Sequence, residues 1–167
     1  MTNTPMGSLR RTGDGKGAVR LEDLYDTGID DLWSALTDPK RLAQWIADVE
    51  GDLRTGGPIE ARFTSGWAGP GRIDTCEPPH RLAVTLSPGT PEETVIEAVL
   101  TAENDRTRLV VEERGIPLAE LGFHGAGWQA HVEDLAAHVG GSEAGDWRTR
   151  WTALTPSYQE LVRDLAG

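Results

Sequence analysis

A chain of 167 residues fits one domain with one core, since two complete cores would be cramped at this length. Apolar residues make up 38% and charged residues 26%, with six tryptophans, enough bulky material to exclude wholesale disorder. Lys and Arg number 16 against 27 Asp and Glu, a net charge of −11 whose averaged field repels polyphosphates and anionic bilayers, so nucleic acid is not an expected partner.

No apolar run reaches the length of a membrane span, and the start MTNTPMGSLRRTGDGKG lacks the apolar centre of a secretory signal. The expectation is a cytoplasmic protein without membrane insertion. Cys76 is the sole cysteine, which excludes an intrachain disulfide, a thiolate zinc cluster and a CxxC pair.

Residues 1–17 mix Gly, Ser, Thr and Pro with basic residues and bury too little to offset the entropy of ordering, so they are expected to form a flexible tail. Val19 and Leu21 begin a first strand over 18–25. Thr27 and Asp30 have the spacing of a capping box for a helix whose apolar face holds Leu32, Trp33 and Leu36. Asp38-Pro39 ends it and opens a second short helix carrying Leu42, Trp45 and Ile46.

From Gly51 the period changes to two. Ile59, Ala61 and Phe63 alternate with charged residues, as do Leu82, Val84 and Leu86 with smaller ones, and further strands are expected near 71–77, 93–102 and 106–114. Gly and Pro clusters and Asn104-Asp105 punctuate the segment at hairpin intervals, giving six or seven antiparallel strands in all. A helical period returns with Trp128, Val132, Leu135 and Val139, predicting a helix over 122–139 that Gly140-Gly141 ends. Two short helical pieces should follow, the second capped by Thr155 with Pro156 in its first turn.

This order predicts an α+β fold of helix-grip type, with a curved antiparallel sheet wrapped around one long C-terminal helix and two short helices after strand one. The stretches LWSALTDPKRLAQW (32–45), DLRTGGPIEARF (52–63), GRIDTCEPPHRL (71–82), TRLVVEERG (107–115) and Gly127-Trp128 together resemble the SRPBCC, or START-like, superfamily, and within it the branch named after the activator of the heat shock protein 90 ATPase. The resemblance spans about 19–139. It implies a domain over 18–141, with 142–167 as a helical extension, and a cavity between sheet and helix. It leaves function open, because the superfamily holds lipid carriers, hormone binders, cyclases and proteins with no known ligand.

The motifs also have packing readings. Trp33 and Trp45 fill the junction where the two short helices close the sheet, and Gly127 lets the long helix approach the sheet. No phosphate-binding loop or nucleophile elbow is present, and no cofactor is expected. His124, His131 and His138 recur every seven residues, about 10.5 Å apart along a helix, too far for consecutive ones to share one ion; only His131, Asp134 and His138 could begin to share a site, and the leading reading is a solvated polar stripe opposite Trp128, with no metal site.

Glu113 shares the parity of Leu109 and Val111 and is therefore expected to point into the cavity, where Arg62, Arg114 or a ligand group would partner it. The expected ligand-binding set is Phe63, Val84, Leu109, Val111, Glu113 and Trp128, with no catalytic residue assigned. Non-enzymatic binding of a small hydrophobic or amphipathic molecule is the leading reading. A cyclase- or hydrolase-type enzyme using the cavity carboxylate is the alternative, and a cochaperone or interaction module comes third. A homodimer stays open.

Overall fold

The computed structural model describes residues 2–166. Eight strands form one antiparallel sheet: β1 (Ser8–Gly13), β2 (Lys16–Tyr25), β3 (Ala47–Gly51), β4 (Pro58–Phe63), β5 (Ala68–Glu77), β6 (Arg81–Leu86), β7 (Thr94–Glu103) and β8 (Arg106–Pro117). The spatial order is β1-β2-β8-β7-β6-β5-β4-β3. Helices α1 (Ile29–Thr37) and α2 (Pro39–Trp45) link β2 to β3, and α3 (Leu121–Val139) and α4 (Trp147–Ala166) follow the sheet. The result is the helix-grip fold: α3 lies in the concave face of the curved sheet, and Val19, Leu21, Leu100, Leu109, Trp128, Val132 and Leu135 join in one core between them.

Eight strands stand where six or seven were expected, because two short ones carry weak patterns. β3 has only Ala47 and Val49 to alternate, and it pairs with β4 through Ala47–Phe63 and Val49–Ala61. β1 lies in the segment expected to be a flexible tail, which is a correction. It pairs with β2 through Ser8–Arg20 and Arg10–Ala18, across a tight turn at Asp14-Gly15 where both residues have positive φ, 53° and 72°.

The residues before β1 are held by side chains instead of a ladder. The Met6 amide donates to Gln129 Oε1 and the Gly7 amide to the Tyr158 hydroxyl, each at 2.9 Å. Tyr158 in turn donates to Gln129 Oε1 at 2.6 Å. Arg150 binds the Thr2 carbonyl and Asn3 while paired with Glu133. The N-terminal segment is thus clamped across α3 and α4.

Three local expectations change. Gly28 stands at the N-cap of α1 with no side-chain cap, and the Thr27 hydroxyl bonds Asp31 within the first turn instead of completing a capping box with Asp30. Asp38 does cap α2, accepting from the Lys40 amide at 3.0 Å. The two expected C-terminal pieces are one 20-residue helix with Pro156 inside it. Leu154 and Tyr158, both fully buried against α3, hold that helix on either side of the proline.

Because α4 covers the face of α3 turned away from the sheet, α3 is buried almost all round. This packing needs small residues. A methyl group at Gly125 would collide with the Tyr158 ring, and one at Gly127 would come within 3.2 Å of Trp147. Gly127 therefore serves the approach of α4, not of the sheet. Trp45 closes the junction as expected, its indole N–H donating to the Ala35 carbonyl at 2.9 Å.

Candidate functional site

The sheet does not close fully on α3. At the end where β8 exits into the turn Leu118–Glu120, a cavity of about 560 Å³ opens among the β4–β5 connection, β6, β7, β8 and the first turns of α3 and α4. A second, apolar space of about 100 Å³ lies between sheet and helices further in. Phe63, Leu86, Ile96 and Trp128 line both and so separate them.

A continuous run of rings forms the wall of the larger cavity. Trp67 meets Phe63 at 5.4 Å, Phe63 meets His131 edge-on at 6.2 Å, and His131 stacks on Trp147 at 5.3 Å. Trp147 stacks on Trp151 at 5.7 Å with planes 13° apart, and Trp151 meets Phe123 at 5.9 Å. The α4 indoles are fixed by their own polar atoms: Trp147 donates to the Gly127 carbonyl at 3.2 Å and Trp151 to the Phe123 carbonyl at 3.0 Å. Their faces are left for packing.

One carboxylate sits inside this apolar wall. The alternation of β8 turns Leu109, Val111 and Glu113 inward, and Glu113 is only 4% exposed. Its Oε1 accepts from His124 Nδ1 at 2.8 Å and from Trp128 Nε1 at 2.9 Å. Burial alone opposes its ionisation, but the bond and charge of His124, with the Trp128 and Thr94 donors, outweigh burial and hold its pKa below the ordinary carboxylate value. Burial likewise disfavours charge on His124, and the Glu113 carboxylate overcomes it, raising that pKa. The two directions agree on an ion pair, Glu113 carboxylate to His124 imidazolium.

His131 is different. It is 5% exposed, Nδ1 has no hydrogen-bond partner, and burial pushes its pKa down to about 3, so the ring is neutral. The expected solvated stripe is therefore corrected: α4 covers it, and only His138 lies at the outer end, where Arg41 Nε donates to its Nε2 at 3.0 Å. Among the described residues no three His, Cys, Asp or Glu side chains are arranged to hold a metal ion.

The residues expected to bind ligand are divided by the structure. Glu113 lines the larger cavity, Val84 and Val111 the smaller one, and Phe63 and Trp128 both. Leu109 lines neither and packs in the core. The expected partners Arg62 and Arg114 are not those of Glu113; Arg114 points to Glu112 and Glu97 on the sheet.

Sequence reasoning did not find His124, His131, Trp147 or Trp151 as cavity residues. A usable signal was present in Gly122, Gly125 and Gly127, small positions that call for a second helix against α3 and thus a covered, not solvated, histidine face.

An antiparallel sheet gripping a long helix around a lined internal cavity defines the START-like class of the SRPBCC superfamily. The chain belongs to the family of Activator of Hsp90 ATPase homolog 1-like proteins, whose model matches residues 26–140. No curated protein matches it by sequence. Among solved structures it is similar to CalU16 from Micromonospora echinospora at 27% identity and a TM-score of 0.76, covering 95% of this chain and 98% of that one.

DynU16, a protein of the dynemicin biosynthetic locus, is similar at 29% identity and TM-score 0.70, covering 80% of this chain and 51% of that one. EF2215 from Enterococcus faecalis, a conserved protein of unknown function, shares the fold at 17% identity, with a TM-score of 0.77 over 95% and 91% of the two chains. Among the described residues no helix is long and apolar enough to cross a membrane.

Proposed function

We propose that the protein binds one small amphipathic molecule in the cavity between the sheet and helices α3 and α4. The observation that carries this is a space of about 560 Å³, walled by aromatic rings and holding one ion pair, a buried Glu113 with a half-buried His124. A volume of roughly 300–1,000 Å³ with apolar walls and few polar groups is the usual anatomy of a small-molecule site. In this reading the rings supply affinity, while Glu113 and His124 orient a polar group of the ligand. The occurrence of DynU16 in a biosynthetic locus supports a small molecule over a protein client.

The test uses the four indoles that line the cavity, Trp67, Trp128, Trp147 and Trp151, as reporters. Titration with a neutral aromatic probe, 1-naphthalenemethanol, should change their emission saturably at a stoichiometry of about one. Ile96→Trp places bulk in the wall and should weaken binding at least tenfold in a folded protein. Non-saturable emission changes, or equal binding by a folded Ile96→Trp variant, would refute the reading.

A second reading rests on the His124–Glu113 pair. A carboxylate that fixes an imidazole through Nδ1 leaves Nε2 outside that bond, the arrangement of an oriented proton donor. Here the protein would protonate a bound molecule and change it. Incubation of the bound probe or a carbonyl-bearing analogue with parent and His124→Gln, followed by product analysis, separates the two: conversion lost in the variant supports catalysis, and recovery of unchanged ligand supports binding alone.

A further inference from the structure

Given a binding cavity, its charge and surfaces restrict what it takes. Among the described residues that line it there is no lysine or arginine. Three carboxylates do: Glu113 inside, and Glu92 and Glu120 at the exposed mouth. Among the described residues only Glu113 of the three has a cationic partner, His124. The mouth therefore carries uncompensated negative charge, in a protein whose net charge is already −11.

Behind the mouth the wall is the run of rings, in which Trp147 is stacked between His131 and Trp151 while Phe63 meets Trp67, and Phe123 meets Trp151, at a tilt. Ring faces are negative and ring edges positive, so an open ring face attracts a cation, and the one cationic side chain of the described lining, His124, is already paired with Glu113. Three indole N–H groups, the positive edges that could serve an anion, are spent on protein acceptors: Trp128 on Glu113, Trp147 on Gly127 and Trp151 on Phe123. Trp151 already shows the preference, carrying Arg148 at 5.8 Å from its ring centre.

We infer that the ligand of this cavity is a cation, an amphipathic amine or quaternary ammonium whose apolar body fills the aromatic box and whose charge sits between the rings and the carboxylates of Glu92 and Glu120. This inference rests on the binding reading above and narrows it to one chemical class. Carboxylate and phosphate amphiphiles, including fatty acids, are disfavoured by the same groups. Glu92 and Glu120 are specificity residues, acting through charge on a ligand held mainly by the rings.

The experiment compares three probes on one scaffold by calorimetric titration at neutral pH: 1-naphthylmethylammonium, 1-naphthalenemethanol and 1-naphthoate. The cation should bind about tenfold or more tightly than the anion, with the neutral probe between them. The double variant Glu92→Gln, Glu120→Gln changes only exposed positions. It should weaken the cation severalfold, leave the neutral probe unchanged and shrink the cation-to-anion ratio.

If the neutral probe binds at one site but the anion equals or exceeds the cation, the inference falls while the binding reading stands. If the ratio persists undiminished in the double variant, the rim carboxylates do not set it and the inference also falls. If none of the three binds, both the inference and the binding reading are overturned.

Discussion

Replacing His131 with phenylalanine should remove an acid sensitivity that this imidazole builds into the fold. The ring lies between Trp147 at 5.3 Å and Trp128 at 5.7 Å, almost without solvent contact and with Nδ1 unpartnered. Burial lowers its pKa from 6.5 to about 3, with the Glu113 charge pulling weakly in the other direction.

Below 6.5 the unfolded chain therefore binds a proton that the folded chain refuses. Stability is fully present above that pH, and it falls by about 1.4 kcal/mol per unit as pH drops towards the folded value. Between pH 7 and pH 5 the loss from this residue is about 2 kcal/mol, and any folded pKa below about 4 yields the same figure.

Urea unfolding of parent and His131→Phe at both pH values isolates the effect, since the other titrating groups are common to the two proteins and cancel in the difference. The parent should lose about 2 kcal/mol more than the variant between pH 7 and pH 5. The variant should be no less stable at pH 7, because phenylalanine keeps the stack and removes a buried nitrogen that has no partner. Equal losses in the two proteins would show that His131 is hydrated or protonated in the fold, and the reasoning would fail.

Two further outcomes test the packing. Deleting residues 1–13 removes β1 and the contacts of Met6 and Gly7 with Gln129 and Tyr158. It should cost about 3 kcal/mol and lower the Tm by about 6–12 °C, and a shift under about 2 °C would mean the segment is not docked. Gly125→Ala, which in an ordinary helix interior stabilises by about 1 kcal/mol, should here destabilise by about 1–3 kcal/mol as the new methyl meets the Tyr158 ring. Thermal unfolding decides it, and a gain in stability would show that α3 and α4 are not tightly apposed.

Much of this architecture was legible in the chain alone, because each signal was local. The change of period from two to 3.6 at the end of β8 placed the long helix, and Asp38-Pro39 and Gly140-Gly141 marked helix ends with chemistry that needs no tertiary partner. The parity of Leu109, Val111 and Glu113 turned a carboxylate inward, a direct consequence of the pleat. Asp14-Gly15 was an equally local hairpin signal, outweighed in the reading by the polar composition around it.

What faced Glu113, and what lay across α3, depended on contacts between distant segments. His124, His131 and Trp128 have ordinary helical spacing, and whether that face is wet or dry is decided by α4 returning over it with Trp147, Trp151 and Tyr158. The continuity of Pro156 within α4 was likewise settled by burial of Leu154 and Tyr158 on both sides. Periodicity tells a side chain which way to point along its own element; the environment it meets, and hence the neutrality of His131 and the pairing of Glu113 with His124, is set by elements far away in sequence.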